Sequence, residues 1–356
     1  MSETGVCQHR YFCLSSVRQK HDIRTIWLAS DEMPADAGQA RESSGLRPWE
    51  ESLIDSEDSS SLNSMPFELV LYRPRGRPPV TVEEVDRVLE KMPRFSREDI
   101  GGEKTQWRYK NPETGVHFAI KFDPDAKRAI HLEWNDSPLT ISIALGRPGF
   151  FGLEASNIIT RLLIDLNLAA LDTQQTAVYR QPAKLTAEQI RTSWEKSNMA
   201  EAKAALSAGK SVAHAPSDRM DYFWRYMNAR PALQESLGPD VLVPAINLHR
   251  AKDGSVKLSC IWPDAAKVAL PEVDFVLVQR EEKKLLSKKK VSGAAPYARI
   301  MKILRTRSEA KSDPVRLVIF NKAADKELLQ YLSTIKLYSV KSYQKLSADE
   351  IVEVSK

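Results

Sequence analysis

The sequence over residues 105–122 reads TQWRYK-NPETG-VHFAIKF. Apolar and polar residues alternate on both sides of a short segment of Asn, Pro and Gly, as two antiparallel strands joined by a turn require. We therefore predict a β-hairpin with strands at 105–110 and 116–122. A hairpin at this position favours folds with antiparallel sheets.

The segments on both sides of the hairpin complete an α+β pattern. A strand is predicted at 67–72, and a helix follows it with Thr81 as N-cap and Glu84 three residues later, which is a capping-box pattern. After the hairpin, the sequence predicts two strands, at 129–134 and 139–145, separated by an Asn-Asp-Ser-Pro turn. A helix is predicted after them at 153–171. The order β-α-β-β-β-β-α predicts a mainly antiparallel sheet packed by helices.

The chain divides into four parts on composition and periodicity. An α+β domain is predicted over 65–185 and a helical connector with a loop over 186–215. The residues over 216–356 form a second α/β domain, with strands at 241–248, 255–262, 272–279 and 315–320 and helices at 297–305 and 323–333.

Residues 1–64 differ from the remainder in charge. They carry six Lys and Arg against eleven Asp and Glu, and the run EESLIDSEDSSS over 50–61 is acidic and rich in Ser. Such a composition buries too little apolar surface to offset chain entropy. We expect a disordered acidic tail or extension ahead of Met65.

The whole-chain composition is that of an ordinary soluble protein. It has 356 residues, 42% hydrophobic and 28% charged, with a net charge of +5. This excludes collagen-like chains and disulfide scaffolds. The three cysteines (Cys7, Cys13 and Cys260) are too few and too widely spaced for a disulfide framework. Because no apolar run reaches the roughly 20 residues that a membrane helix needs, we expect no membrane contact and a cytoplasmic location.

One short motif carries a specific chemistry. Residues 73–78 read RPRGRP, and their core resembles the AT-hook, a short extended motif that binds the minor groove of DNA. The resemblance implies that Arg75 and Arg77 enter a narrow A·T-rich groove, that Gly76 permits close approach, and that Arg73 meets a phosphate. The alternative is a strand-to-helix loop whose Arg side chains stay in water.

A second candidate is a basic stretch near the C-terminus. Residues 280–322 contain 13 Lys and Arg against 4 Asp and Glu. This charge can follow a phosphate backbone. The alternative is a solvated loop plus one helix face, with Lys288, Lys289 and Lys290 as an exposed tip.

A third candidate is the aromatic run DYFWRY over 221–226. Aromatic residues at helical spacing most often belong to a core. Aromatic residues beside arginine also have the composition of interface anchors, which makes Tyr222, Trp224 and Arg225 candidate partner-binding residues.

These observations favour binding over catalysis. The sequence contains none of the linear nucleophile or metal-protease signatures, so we predict no catalytic residue, no metal and no cofactor. The leading hypothesis is a non-enzymatic protein that binds another macromolecule, similar in general organisation to accessory, regulatory or immunity proteins, with a protein partner expected. The alternatives are a DNA-binding regulator that uses the 73–78 loop and the basic stretch, and an enzyme with a dispersed site.

Overall fold

The computed structural model describes residues 65–126, 131–174, 181–209, 212–263, 265–284, 287–322, 324–340 and 343–354, with the backbone alone over 280–290. The predicted tail, 1–64, lies outside these ranges. Within them the chain forms sixteen strands, mostly in antiparallel sheets, and six α-helices. The predicted α+β class is confirmed.

The N-terminal part is built on a six-stranded sheet in the order β2-β3-β4-β5-β1-β6, in which all neighbours are antiparallel. Its strands are β1 (Phe67–Pro74), β2 (Phe95–Gly101), β3 (Lys104–Lys110), β4 (His117–Phe122), β5 (Trp134–Ile143) and β6 (Ala169–Asp172). Two helices accompany this sheet, α1 (Val82–Leu89) and α2 (Gly149–Asp165). The hairpin predicted at 105–122 is present as β3 and β4.

Side chains alternate across this sheet, so one face is apolar and packs on the helices. Trp107 and Tyr109 are buried, and they donate hydrogen bonds to Asp86 of α1 and Glu154 of α2. The other face carries the intervening polar residues.

Three sequence predictions in this part are wrong. Of the strand predicted at 129–134, residues 129–130 lie outside the described ranges, 131–133 are not strand, and only Trp134 belongs to β5. The residues at 135–138, predicted as a turn, lie within strand β5. Asn135 pairs there with Arg73 of β1. The helix predicted to reach residue 171 ends at Asp165. Asn167 takes a left-handed conformation with φ of 48°, which stops the helix, and the following residues pair with β1 as β6.

The connector helix α3 (Ala187–Ser207) begins with a capping box, since Thr186 and Gln189 bond reciprocally to each other's backbone N–H groups. Strand β7 (Ala213–Pro216) and helix α4 (Ser217–Leu237) follow. The aromatic run therefore lies within α4.

The C-terminal part contains a five-stranded sheet in the order β12-β11-β9-β8-β15 and a three-stranded sheet in the order β10-β14-β13. The strands are β8 (Asn247–Arg250), β9 (Val256–Pro263), β10 (Val268–Pro271), β11 (Phe275–Lys284), β12 (Ser287–Pro296), β13 (Glu309–Lys311), β14 (Leu317–Phe320) and β15 (Gln344–Leu346). The helices are α5 (Tyr297–Leu304) and α6 (Lys326–Thr334). The strand predicted at 241–248 forms only from Asn247, and the residues before it make a single bridge at Leu242.

The end of the described chain returns to the connector. A 3-10 turn (Ala348–Glu350) leads into β16 (Ile351–Val354), which pairs in parallel with β7. The Glu353 carboxylate then accepts a hydrogen bond from the backbone N–H of Gly149, at the start of α2. Residues on the two sides of the predicted connector also contact each other directly, because Arg230 of α4 forms a bidentate ion pair with Glu113 in the β3–β4 turn.

Candidate nucleic-acid interface

The first arginine of the AT-hook-like segment, Arg73, is already paired with a carboxylate of the fold. Arg73 is 8% exposed and forms a bidentate ion pair with Glu84 of α1, with both N–O distances at 2.7 Å. This pair lowers the pKa of Glu84 through the Arg73 hydrogen bond and charge, against the opposing effect of burial. The Arg73 guanidinium therefore ties β1 to α1, and the phosphate contact that the resemblance implies for it stays a prediction.

The remainder of the segment is a closed turn. The backbone N–H of Arg77 donates to the carbonyl of Pro74, and Gly76 between them has a φ of 82°. That conformation favours glycine and belongs to a tight β-turn. Arg75 and Arg77 are exposed, and neither pairs with an acidic residue in the described part of the chain. An AT-hook is extended, so this turn has to open before it adopts the conformation that the resemblance implies.

The aromatic run of α4 is mainly a packing element. Tyr222 is buried, and its hydroxyl donates to the carbonyl of Arg316 and accepts from the backbone N–H of Glu272. Trp224 is half-buried and donates its indole N–H to Glu154. Of the three candidate partner-binding residues, Arg225 alone is exposed. This corrects the expectation that Tyr222 presents a contact surface.

The predicted loop at the start of the basic stretch is a β-hairpin. Strands β11 and β12 pair along ten residues each, from Phe275 opposite Pro296 to Lys284 opposite Ser287. Strand β9 pairs with β11 only as far as Gln279. Beyond that residue, the strand pairing described for this part of the chain joins β11 and β12 only to each other. Five further residues of strand extend about 17 Å at roughly 3.4 Å per residue.

We name residues 280–291 the basic ribbon. Its sequence contains six cationic residues, among them Lys288, Lys289 and Lys290, against the two acidic residues Glu281 and Glu282. The prediction of an exposed loop tip at 288–290 is wrong for the backbone, which is strand there. The charge is thus carried by a two-stranded element with a defined register.

Helix α5 begins directly after β12, five residues beyond the end of the basic ribbon, and has two distinct faces. Ile300, Met301 and Leu304 are buried on one side. Arg299, Lys302 and Arg305, spaced three residues apart, are exposed on the other, and none of them pairs with an acidic residue among those described. We name these three residues the basic helix face. Their spacing was visible in the sequence, and helical periodicity was the signal that could have grouped them.

Groups with catalytic potential in the C-terminal part are enclosed by the fold. His249 lies 2.8 Å from the Ser259 hydroxyl, but both residues are buried, and burial lowers the pKa of the imidazole. Cys260 is fully buried, which raises the pKa of its thiol. In the described ranges, no group of three or more His, Cys, Asp or Glu residues is arranged to hold a metal ion.

None of the helices in the described ranges has the length and apolar character needed to cross a membrane. No protein-family model, curated protein or solved structure matches the chain significantly.

Proposed function

We propose that this protein binds a duplex nucleic acid without catalysis, using the basic ribbon and the basic helix face together. The observation that carries the proposal is the set of exposed, unpaired cations on α5, which starts at the base of the hairpin whose outer part is the basic ribbon. Phosphate contacts by Lys and Arg release counterions and supply most of the affinity in such complexes. A two-stranded ribbon and a helix are also the two elements that fit the major groove of B-form DNA.

The charge distribution supports a local interface. Several other cations in the C-terminal part pair with neighbouring carboxylates, as Arg307 does with Asp325 and Arg219 with Asp274. The three cations of the basic helix face have no such partners in the described structure. A cytoplasmic location belongs to the same proposal, because a reducing compartment suits the free thiol of Cys260.

The test is binding to a fluorescent 30-base-pair duplex, measured by anisotropy between 50 and 200 mM KCl. About six phosphate contacts predict a fall in affinity of roughly 10³-fold across this range. Changing Arg299, Lys302 and Arg305 together to Gln should reduce both the affinity and the salt dependence, as should the same change at Lys288–Lys290. The control changes Lys196, Lys203 and Lys252, which are exposed and unpaired in the described structure, to Gln. Equal losses in all three variants, or no binding by the parent protein, would refute the proposal.

A protein partner is the second candidate, and one surface favours it. Leu132 is 85% exposed and precedes Glu133, whose carbonyl accepts a hydrogen bond from the backbone N–H of Arg75. An exposed leucine beside the unpaired arginines of the 73–78 turn has the mixed apolar and Arg character of interfaces. Recovery of a stoichiometric protein from nuclease-treated extract, lost in the Leu132→Asp variant, would support this candidate over nucleic acid.

A further inference from the structure

The polar face of the six-stranded sheet carries a cleft. Along β3, Trp107 and Tyr109 point to the helices, so Arg108 and Lys110 point to the opposite side. On that side lies a cavity of about 600 Å³, which is in the size range of small-molecule sites. We name it the sheet-face cleft. It is separate from the basic ribbon and from α5.

The strand register builds a floor of small side chains. Arg108 lies opposite Ala119 on β4, and Ala119 lies opposite Ser142 on β5. Lys110 lies opposite His117 in the next row. Because Ala and Ser occupy the centre of the floor, the longer cationic side chains stand at its β3 side and leave the centre open.

One wall of the cleft comes from the C-terminal segment. Ser347 and Asp349 line the cavity, and Arg147 donates a hydrogen bond to the backbone carbonyl of Asp349. The same segment is seated on the β3–β4 turn, where a Cβ on Gly115 would lie 3.3 Å from the Cβ of Ala348. A fixed wall at this end limits the cleft to a small molecule.

Unused polar groups in the cleft are cationic or hydrogen-bond donors. Lys110 pairs with no acidic residue among those described. Arg108 forms an ion pair with Glu98, with 3.0 Å between Nη2 and Oε2. His117 places Nδ1 3.1 Å from the carbonyl of Gly115, so Nδ1 carries the hydrogen and Nε2 remains for a ligand. The one lining carboxylate, that of Asp349, accepts a hydrogen bond from the Ser347 hydroxyl.

We propose that the sheet-face cleft binds a small molecule through a phosphate or carboxylate group held between Lys110 and His117. The ammonium group of Lys110 supplies charge, and Nε2 of the His117 imidazole supplies the second contact to the anion. The Ser142 hydroxyl, on the floor, donates its hydrogen to Glu68, so its oxygen is left as an acceptor for the remainder of the ligand.

The test uses the full chain with inorganic phosphate, citrate and ADP as probes, measured by thermal unfolding and titration calorimetry. We expect at least one probe to raise Tm by several degrees, with phosphate and citrate distinguishing the two anion classes. Lys110→Gln and His117→Gln should each lower the affinity for that probe about tenfold. Lys91→Gln, which removes an exposed cation beyond α1, should leave the affinity unchanged.

A second variant guards against loss of folding. Ala119→Leu fills the floor of the cleft, and it should abolish probe binding while the far-ultraviolet circular dichroism stays unchanged. No Tm shift with any probe, or equal shifts in the parent, Lys110→Gln and Lys91→Gln proteins, would overturn the proposal. Since the duplex-binding variants lie on α5 and the basic ribbon, the two proposals can fail separately.

Discussion

The indole N–H of Trp224 donates a hydrogen bond to the carboxylate of Glu154, with 2.8 Å between Nε1 and Oε2. Glu154 is only 1% exposed, and it also accepts from Tyr109, Asn111 and Thr114. These donors come from β3, from the β3–β4 turn and from α4. A buried carboxylate with four neutral donors thus joins the sheet to helices on both sides of the connector.

We predict that Glu154→Gln lowers the free energy of unfolding by about 2–4 kcal/mol, because a Gln amide group presents hydrogens where donors already point. Urea denaturation checks this, with an unchanged m-value expected for a two-state loss. Glu235→Gln on the exposed side of α4 is the control. A loss below about 0.5 kcal/mol would show that the four hydrogen bonds contribute little.

The second prediction concerns pH. Burial raises the pKa of Glu353 to about 7; the Gly149 N–H bond opposes this shift, and the charges of Asp221 and Glu195 add to it. Since the ionised form is disfavoured in the folded state, this group stabilises the fold fully below about pH 4.5, and the contribution is lost as pH rises to 7.

As the pH rises from 5 to 8, the free energy of unfolding of Glu353→Gln should therefore rise by about 1–3 kcal/mol relative to that of the parent protein. Unfolding measured in urea at both pH values gives this difference. If the difference in free energy of unfolding between the two proteins is the same at both pH values, Glu353 does not titrate in this range.

The third prediction separates the arginines of the 73–78 segment. Arg73→Gln should lower the free energy of unfolding by about 1–3 kcal/mol, because it leaves the half-buried Glu84 without its partner. Arg87→Gln, at an exposed position of α1, is the matched control and should change stability little. Similar losses in both variants would show that the Arg73–Glu84 pair contributes no more to stability than an exposed arginine does.

The fourth prediction follows from the closed conformation of the turn. Replacing Arg75 and Arg77 together by Ala should alter affinity for A·T-rich duplex DNA less than twofold, since the turn does not present the extended form that enters a minor groove. Competition between A·T-rich and G·C-rich duplexes measures this. A selective loss on A·T-rich DNA would show that the turn opens and acts as a hook.

The fifth prediction concerns packing of α2 on α3. A Cβ on Gly152 would lie 2.2 Å from Cε3 of the fully buried Trp194. Gly152→Ala should cost about 1–3 kcal/mol through overpacking. In a double-mutant cycle, the same change should cost less in a Trp194→Leu background, and strict additivity would contradict the contact.

Local patterns predicted much of this fold. The 105–122 hairpin and the capping box at Thr186 and Gln189 are present because neighbouring residues alone specify them. Thr81 also caps α1 as predicted, through the backbone N–H of Glu84. The side chain of Glu84, however, pairs with Arg73 instead of completing the box, which only the tertiary structure determines.

Long-range pairing explains what the sequence did not reveal. Strand β2 is almost entirely exposed and has three charged residues in a row, so it lacks the alternation by which strands are recognised. Strand β7 is four residues long, and its partner β16 lies far along the chain. The charged outer half of the β11–β12 hairpin has the composition of a loop, and only its backbone pairing shows that it is strand.

The contact between Gly149 and Glu353 spans 204 positions of sequence. During synthesis at about 5–20 residues per second, the start of α2 waits roughly 10–40 s for this carboxylate to be made. Strand β7 likewise emerges from the ribosome long before β16. The nascent chain therefore carries an uncapped helix through more than half of its translation and an unpaired strand edge through more than a third of it, and chaperones that bind exposed edges have that interval in which to act.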